Sequence, residues 1–444
     1  GLTLAACTFV AAAQMASYMA GDSAWLAVLI AGLLCLLAAA GFSELNGMMP
    51  SAAGLRLWFK NGFGDRAGMT IALVYMLVVT SVIGAETYVL AKVLTNLIPL
   101  HPLIWVILLL AVATFLNIRG VKIAGAFQDI ITYGMMASLV LFSVIAFAKA
   151  GWSFHQPFNV GASSPEGGLL PAIATGVFLF VGFEWVTPLA EEVTDQKLIP
   201  RGMYLAVGLL SVVYALFSLA MSRWVPANVL ATSPIPHIEA GRAVLGTAGV
   251  IWLSIITLGA STTTFNAGII TISRFMYAGA REGILPKFFG KFNLKYATPQ
   301  NAILTLFGIG VLSSAIVYFV QGYKTLIDVG AAMESLIYMS AALCVIALRA
   351  KQPEAERPFK MWGGRIAAWA TAVVFAGLAV IVFVTDWAAG LYLGLAALLC
   401  YLYVMTVVPR LKAKQAAELA AAAARRGGRR RPTTAGGTTT AADD

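Results

Sequence analysis

Gly176-Val-Phe-Leu-Phe-Val-Gly-Phe-Glu-Trp-Val-Thr-Pro-Leu-Ala-Glu-Glu192 decides how the rest of the chain is read. The segment is apolar enough to enter a bilayer. It nevertheless holds two glycines, a proline and the carboxylate of Glu184 within its hydrophobic run. Gly and Pro interrupt helices, and an ionisable group at membrane depth costs roughly 2.5 kcal/mol or more, so such groups line cavities or ion paths. Interrupted backbone beside a buried acid predicts a broken membrane helix at a transporter binding site.

Working outward, hydrophobic residues make up 60% of the 444-residue chain and charged residues 11%. Mean hydropathy is +0.84, outside the range of water-soluble domains. Apolar runs of roughly spanning length recur at 2–20, 24–46, 67–99, 103–117, 127–149, 169–190, 203–222, 246–272, 301–320, 326–348, 364–386 and 389–408. The reading is an all-α membrane protein of twelve transmembrane helices. Residues 1–408 form one transmembrane domain, and residues 409–444 form a basic tail expected to be disordered.

Charge sets the orientation. With the N-terminus inside and the spans alternating, 25 of the 30 Lys and Arg fall on the cytoplasmic side, leaving Lys92, Lys149, Arg223, Arg242 and Lys324 outside. That asymmetry follows the positive-inside rule, places both termini in the cytoplasm of a cell membrane, and disappears if one span is dropped. The net charge of +10 implies no nucleic acid: the tail from Arg410 holds eight basic and three acidic residues, and a basic tail beside a membrane attracts anionic lipid.

Cys7, Cys35, Cys344 and Cys400 lie in apolar runs without metal-ligand spacing, and His101, His155 and His237 fall in expected external loops. No cluster points to a metal, a nucleophile or an enzyme, no phosphate loop implies ATP, and no cofactor is expected. Gly1 is not Met and the first apolar run begins at once, so the first helix is expected to be truncated at its N-terminus.

Four stretches resemble the amino acid–polyamine–organocation superfamily, in its amino acid permease branch. Phe42-Ser-Glu-Leu-Asn-Gly-Met-Met-Pro-Ser-Ala-Ala-Gly54, followed by Phe63-Gly64, resembles the second helix and its turn. Phe180-Val-Gly-Phe-Glu184, with Glu191-Glu192 and Ile199-Pro200, resembles the sixth helix and the loop after it. Ser273 to Pro286, with Thr298-Pro299, resembles the loop after the eighth helix, and Arg349 to Lys360 the loop after the tenth. The resemblance implies a leucine-transporter-like inverted 5+5 helix repeat plus two extra helices, with the first and sixth helices unwound at mid-membrane. It implies transport of an amino acid or polyamine by alternating access, as exchanger or proton-coupled symporter, by a monomer or homodimer. A neutral amino acid/proton symporter and a non-transporting amino-acid sensor of the same fold remain alternatives.

The resemblance also assigns residues. The sixth-helix break maps to Phe178–Phe183 and the first-helix break to Ala6–Ala11. Expected substrate-binding positions are Cys7, Thr8, Phe9, Ala11, Glu86, Phe178, Phe180, Val181, Gly182 and Thr264. Tyr75, Glu184 and Tyr338 match a Tyr–Glu–Tyr gate of arginine/agmatine-exchanger-like members. Glu86, eleven residues and about three turns beyond Tyr75, faces the same way. It suits a cationic distal group of the substrate, or else a proton site; Glu334 is either a proton site or an internal hydrogen-bond partner. Among the polar residues Thr262, Thr263, Thr264 and Asn266 of the eighth helix, selectivity contacts and plain packing are both open. The lysine that many proton-coupled members carry midway along the fifth helix is absent, since Gly134 and Met135 stand there.

Overall fold

Backbone N–H and C=O groups find no partner in lipid, so apolar runs of this length bond internally as helices. In the computed structural model the residues described are 5–19, 23–51, 54–120, 125–152, 159, 161–163, 167–190, 193 and 195–428. The order is α1 (Ala6–Tyr18), α2 (Ala24–Met48), α3 (Gly54–Phe63), α4 (Asp65–Leu97), α5 (Pro102–Ile118), α6 (Gly125–Lys149) and α7 (Leu169–Gly176). There follow α8 (Leu198–Trp224), α9 (Ala227–Thr232), α10 (Pro236–Leu245), α11 (Thr247–Arg281), α12 (Gln300–Val320), α13 (Tyr323–Lys351), α14 (Gly364–Thr385) and α15 (Trp387–Gly428). Each apolar run of the sequence holds a helix. Among the described residues ten spans are long and apolar enough to cross a membrane, the interrupted Leu169–Thr187 included; Pro102–Ile118 is shorter and apolar.

The bundle turns polar and small groups inward and apolar ones outward. Ile366, Trp369, Val373, Val380 and Val384 form an exposed helical stripe on α14, and Leu391, Leu395, Leu398 and Leu402 form one on α15. Such apolar area is stable against lipid and not against water. Inside, α2 packs along α8, α13 along α14 and α4 against α12.

One end of the bundle is tied by ions. Glu44 of α2 is fully buried and takes Arg349 of α13 in a fork, Nε to Oε1 at 2.8 Å and Nη2 to Oε2 at 2.6 Å. The Met361 N–H donates to the same carboxylate at 2.8 Å, and Arg357 lies 3.4 Å away. Two of the stretches singled out in the sequence thus meet around one buried acid.

The basic tail departs from its expected disorder. α15 continues through Pro409 to Gly428, while residues 429–444 lie outside those described. Ala, Glu, Lys and Arg are strong helix formers, and the extension is anchored on one side. Lys412 Nζ sits 3.1 Å from Asp65, the Gln415 amide donates to the Arg281 carbonyl at 2.7 Å, and Glu418 pairs with Lys287. His237 also departs from its expected loop setting. It lies on α10, 1% exposed, with its ring against Phe9 and Nε2 3.0 Å from Thr257 Oγ1. Burial holds the imidazole neutral, its pKa pushed down to about 3. His155 falls outside the described residues.

Two stability outcomes follow from these contacts. Arg349→Ala removes the forked partner of buried Glu44, leaving it Arg357 and the Met361 N–H, and costs about 1.5–3 kcal/mol, whereas Lys291→Ala on the exposed loop changes stability by less than about 0.5 kcal/mol; thermal unfolding in detergent measures both. The unfolded chain binds a proton on His237 near its ordinary pKa of 6.5 and the folded chain does not until about 3. Stability from this residue is therefore complete above pH 7 and falls as pH drops through 6.5 towards 3, a dependence that His237→Gln should flatten.

Candidate functional site

The quoted segment breaks where its glycine sits. α7 tightens into a 3-10 turn over Val177–Phe180, the chain turns at residues 181–183, and a second 3-10 segment covers Glu184–Leu189. Gly182 has φ of +104°, a conformation that residues bearing a Cβ rarely adopt. Its freed N–H donates to Glu184 Oε2 at 3.2 Å, while the Val181 and Phe183 N–H groups reach the Phe178 and Phe180 carbonyls. Glu191 and Glu192 lie outside the described residues.

The structure brings Tyr75, Glu184 and Tyr338 together from three separate helical elements. Glu184 is 1% exposed. The Tyr75 hydroxyl donates to Oε1 at 2.8 Å and the Tyr338 hydroxyl to Oε2 at 3.4 Å. Trp185 Nε1 donates to the Tyr75 oxygen at 2.5 Å. The Tyr338 ring is wedged edge-on between Phe42 and Phe375. A carboxylate held by two phenols forms charge-assisted hydrogen bonds that join three separate elements.

Beside the break lies a cavity of about 70 Å³. Of the positions expected to bind substrate, Cys7, Thr8, Glu86, Phe178, Val181, Gly182 and Thr264 stand in its wall. Phe9, Ala11 and Phe180 do not. α1 already starts at Ala6, so its helical turn carries Phe9 away to pack on Phe217 and His237, and Ala11 is sealed in the core. Phe180 points from the tight turn onto Tyr214. Of the other polar positions on α11, Thr262 is exposed and Thr263 is buried off the cavity.

Several wall residues were not singled out in the sequence. Val79 and Val82 follow Tyr75 and precede Glu86 at helical spacing, a stripe legible in α4 once Tyr75 is chosen. Gly330 lies one turn before Glu334, and a Cβ there would come within 2.7 Å of the Phe178 ring. Trp185, Phe265 and Gly268 complete one side.

The two remaining acids are placed differently from each other. Glu86, 3% exposed, was expected either to meet the distal cation of a substrate or to serve as a proton site. In the structure it caps the start of α1. Its Oε1 accepts from the Ala6 N–H at 2.7 Å and from Ser261 Oγ at 2.5 Å, and its Oε2 accepts from the Cys7 N–H at 2.8 Å. The partial positive charge of a helix N-terminus favours this placement. Glu334, 2% exposed, stands in the wall with Oε2 lacking any hydrogen-bond partner.

At the end of the bundle opposite Glu44 a second polar cluster joins α1, α7 and α13. Asp328 of α13, 4% exposed, accepts from the Gln14 amide of α1 at 3.0 Å and from Thr175 of α7 at 3.2 Å. Gln14 also reaches the Tyr18 hydroxyl at 2.8 Å. Sequence reading missed this acid, although a carboxylate six residues before Glu334 in the same apolar run was its signal. On α13 the order is Asp328, Glu334 about 9 Å further along and Tyr338 about 6 Å beyond that, so the cavity lies between the two clusters.

Residues 1–409 match the family model described as amino acid permease. The chain is 28% identical over 352 residues to the large neutral amino acids transporter small subunit 2 of Oryctolagus cuniculus, covering 75% of this chain and 64% of that protein. It is 27% identical to the Asc-type amino acid transporter 1 of Mus musculus, over 72% of this chain and 62% of the relative. It is 26% identical to the vacuolar cationic amino acid transporter 4 of Arabidopsis thaliana, over 80% and 62%. The chain thus spans less than two thirds of the length of these relatives.

Gly330 gives a direct test of the cavity wall. Gly330→Ala drives a Cβ into the Phe178 ring, costing about 1–3 kcal/mol and abolishing ligand-induced thermal stabilisation. Adding Phe178→Leu should restore both. Undiminished stability and ligand response in the single variant would mean that the ring does not border the binding space.

Proposed function

The chain belongs to the amino acid permease family, and from that membership we propose that it is a secondary transporter carrying a small amino acid or amine across a cell membrane by alternating access. The observation that carries the proposal is the position of the cavity: it abuts the interruption in the α7 segment and is bracketed along α13 by two polar clusters. Chains that must open alternately to either side need seals that can be broken, and hydrogen-bonded side-chain clusters break more readily than packed core.

In this reading the twelve helices comprise an inverted 5+5 repeat with α14 and α15 outside it. Both termini and the Glu44 end face the cytoplasm, as the basic residues demand. Tyr75–Glu184–Tyr338 is the inner gate and Gln14–Asp328–Thr175 the outer one. Opening to the cytoplasm moves the 3-10 segment Glu184–Leu189 away from α4 and α13. Glu86 and Glu334 are the proton-accepting groups if transport is proton-coupled; without them in play the cycle is exchange. Relatives named for neutral and for cationic amino acids occur together, so similarity alone leaves both substrate classes open.

A transporter-fold sensor that binds without transport is the reading from a different class. Counterflow in proteoliposomes across the amino acids and small amines separates them, since a sensor gives none. Within a transporter, Glu184→Gln should keep ligand affinity within a few-fold. Exchange should slow about 10- to 100-fold, the rate equivalent of weakening a charged hydrogen-bond pair. Wild-type exchange in that variant would reject the gate.

A further inference from the structure

We propose that the ligand of this cavity is an amine cation without a carboxylate group, so that a free α-amino acid is the poorer ligand. The inference rests on the transport reading above and narrows it to a substrate class.

The first observation is where the freed helix N–H groups go. The backbone donors at a helix start are the natural receptor for a carboxylate ligand. Here Ala6 and Cys7 give theirs to Glu86, at 2.7 and 2.8 Å. At the α7 break the Gly182 N–H goes to Glu184. At the start of α1 and at the α7 break alike, an acid of the chain itself takes the amide donors that a ligand carboxylate would use.

Side-chain donors in the wall are committed as well. Thr8 Oγ1 donates to the Ala5 carbonyl at 2.6 Å, Thr264 Oγ1 to Ala260 at 3.1 Å, and Trp185 Nε1 to Tyr75. Among the described residues the wall contains no Lys, Arg or His. A ligand carboxylate would therefore enter an apolar space holding two acids, with the Thr8, Thr264 and Trp185 side-chain donors already committed. Bringing like charges together at low dielectric is among the costliest contacts a site can make.

The acceptors are in surplus. Glu334 Oε2 is buried in the wall with no partner, and a buried carboxylate oxygen left unpaired is a standing cost that an ammonium would remove. A carboxylate offers about four acceptor positions, and three of those on Glu86 are filled. Around them stand the rings of Phe178, Trp185 and Phe265, apolar surfaces whose faces also attract cations. Acid, aromatic and aliphatic walls without donors describe a receptor for an alkyl ammonium.

Pairs of ligands that differ by decarboxylation test this directly: leucine and isoamylamine, lysine and cadaverine, arginine and agmatine. Binding is measured by calorimetry, and uptake by counterflow, on the wild-type full chain in lipid. The amine should bind at least about tenfold more tightly than its parent in one or more pairs, the loss expected for one unmatched charged group. Glu334→Gln should lower amine affinity by about tenfold or more, with thermal unfolding of the empty protein confirming its fold. Glu86→Ala frees the Ala6 and Cys7 amides and should narrow the gap by raising affinity for the amino acid. Parent amino acids that bind and exchange as well as their amines, in every pair, would overturn the inference while leaving transport intact. Unchanged amine affinity in Glu334→Gln would overturn the assignment of the ammonium to that oxygen. Neither binding nor exchange of any amine or amino acid would overturn both the inference and the transport reading.

Discussion

Gly182 cannot continue the helix that begins at Leu169, and in a bilayer its freed N–H has nowhere outside the protein to go. Glu184 supplies the partner from two residues away, and that choice sets the rest of the site. An acid serving the broken backbone at membrane depth must itself be satisfied. Tyr75 reaches it from α4 and Tyr338 from α13, with Trp185 orienting the first phenol. One interrupted backbone thus fixes the meeting point of three elements, and the cavity is the space that the break leaves open.

The same solution recurs at the start of α1, where Glu86 crosses from α4 to the Ala6 and Cys7 amides with Ser261 of α11 in support. Both sets of contacts are between separate helices, so they resist relative motion only while they hold. A charged hydrogen bond contributes about 1.5–3 kcal/mol, small against the apolar packing within each helix pair. In the proposed cycle the motion is therefore directed: helices travel as rigid units and the polar clusters part. The ion cluster at Glu44 behaves differently, because the buried acid is held at once by Arg349, Arg357 and the Met361 N–H, and it reads as a fixed joint between α2 and α13.

Much of this was legible in the sequence, for identifiable reasons. Each of the twelve apolar runs holds a helix, since the cost of an unbonded backbone in lipid leaves few alternatives, while the shorter α3, α9 and α10 lie between those runs. The α7 break was visible as Gly and Pro around an acid, whereas Tyr75, Glu184 and Tyr338 were singled out only by the family resemblance, since they lie on three elements more than 100 residues apart. Phe9, Ala11 and Phe180 were misplaced because their direction depends on the exact helix start and on a 3-10 turn, which shift every following side chain. Glu86 was visible as an acid, but its partners are backbone amides of a helix about 80 residues away, and no pattern of residue types records that. The segment 410–428 carried too many charges to resemble a span, and its anchors on Asp65, Arg281 and Lys287 are long-range. Asp328 and its Gln14 partner were overlooked where a signal existed.

The central claim is that one cavity beside the α7 break opens in turn to each side of the membrane. Cys7 stands in the cavity wall and is buried, as are the other three cysteines, Cys35, Cys344 and Cys400. Replacing those three with Ala leaves a single thiol at the site. Its labelling by a membrane-impermeant maleimide, measured in vesicles of each orientation with and without a transported ligand, reports access directly. The account predicts labelling from both faces, slowed by saturating ligand from either one. Labelling from one face only, or from neither while exchange proceeds, would contradict it.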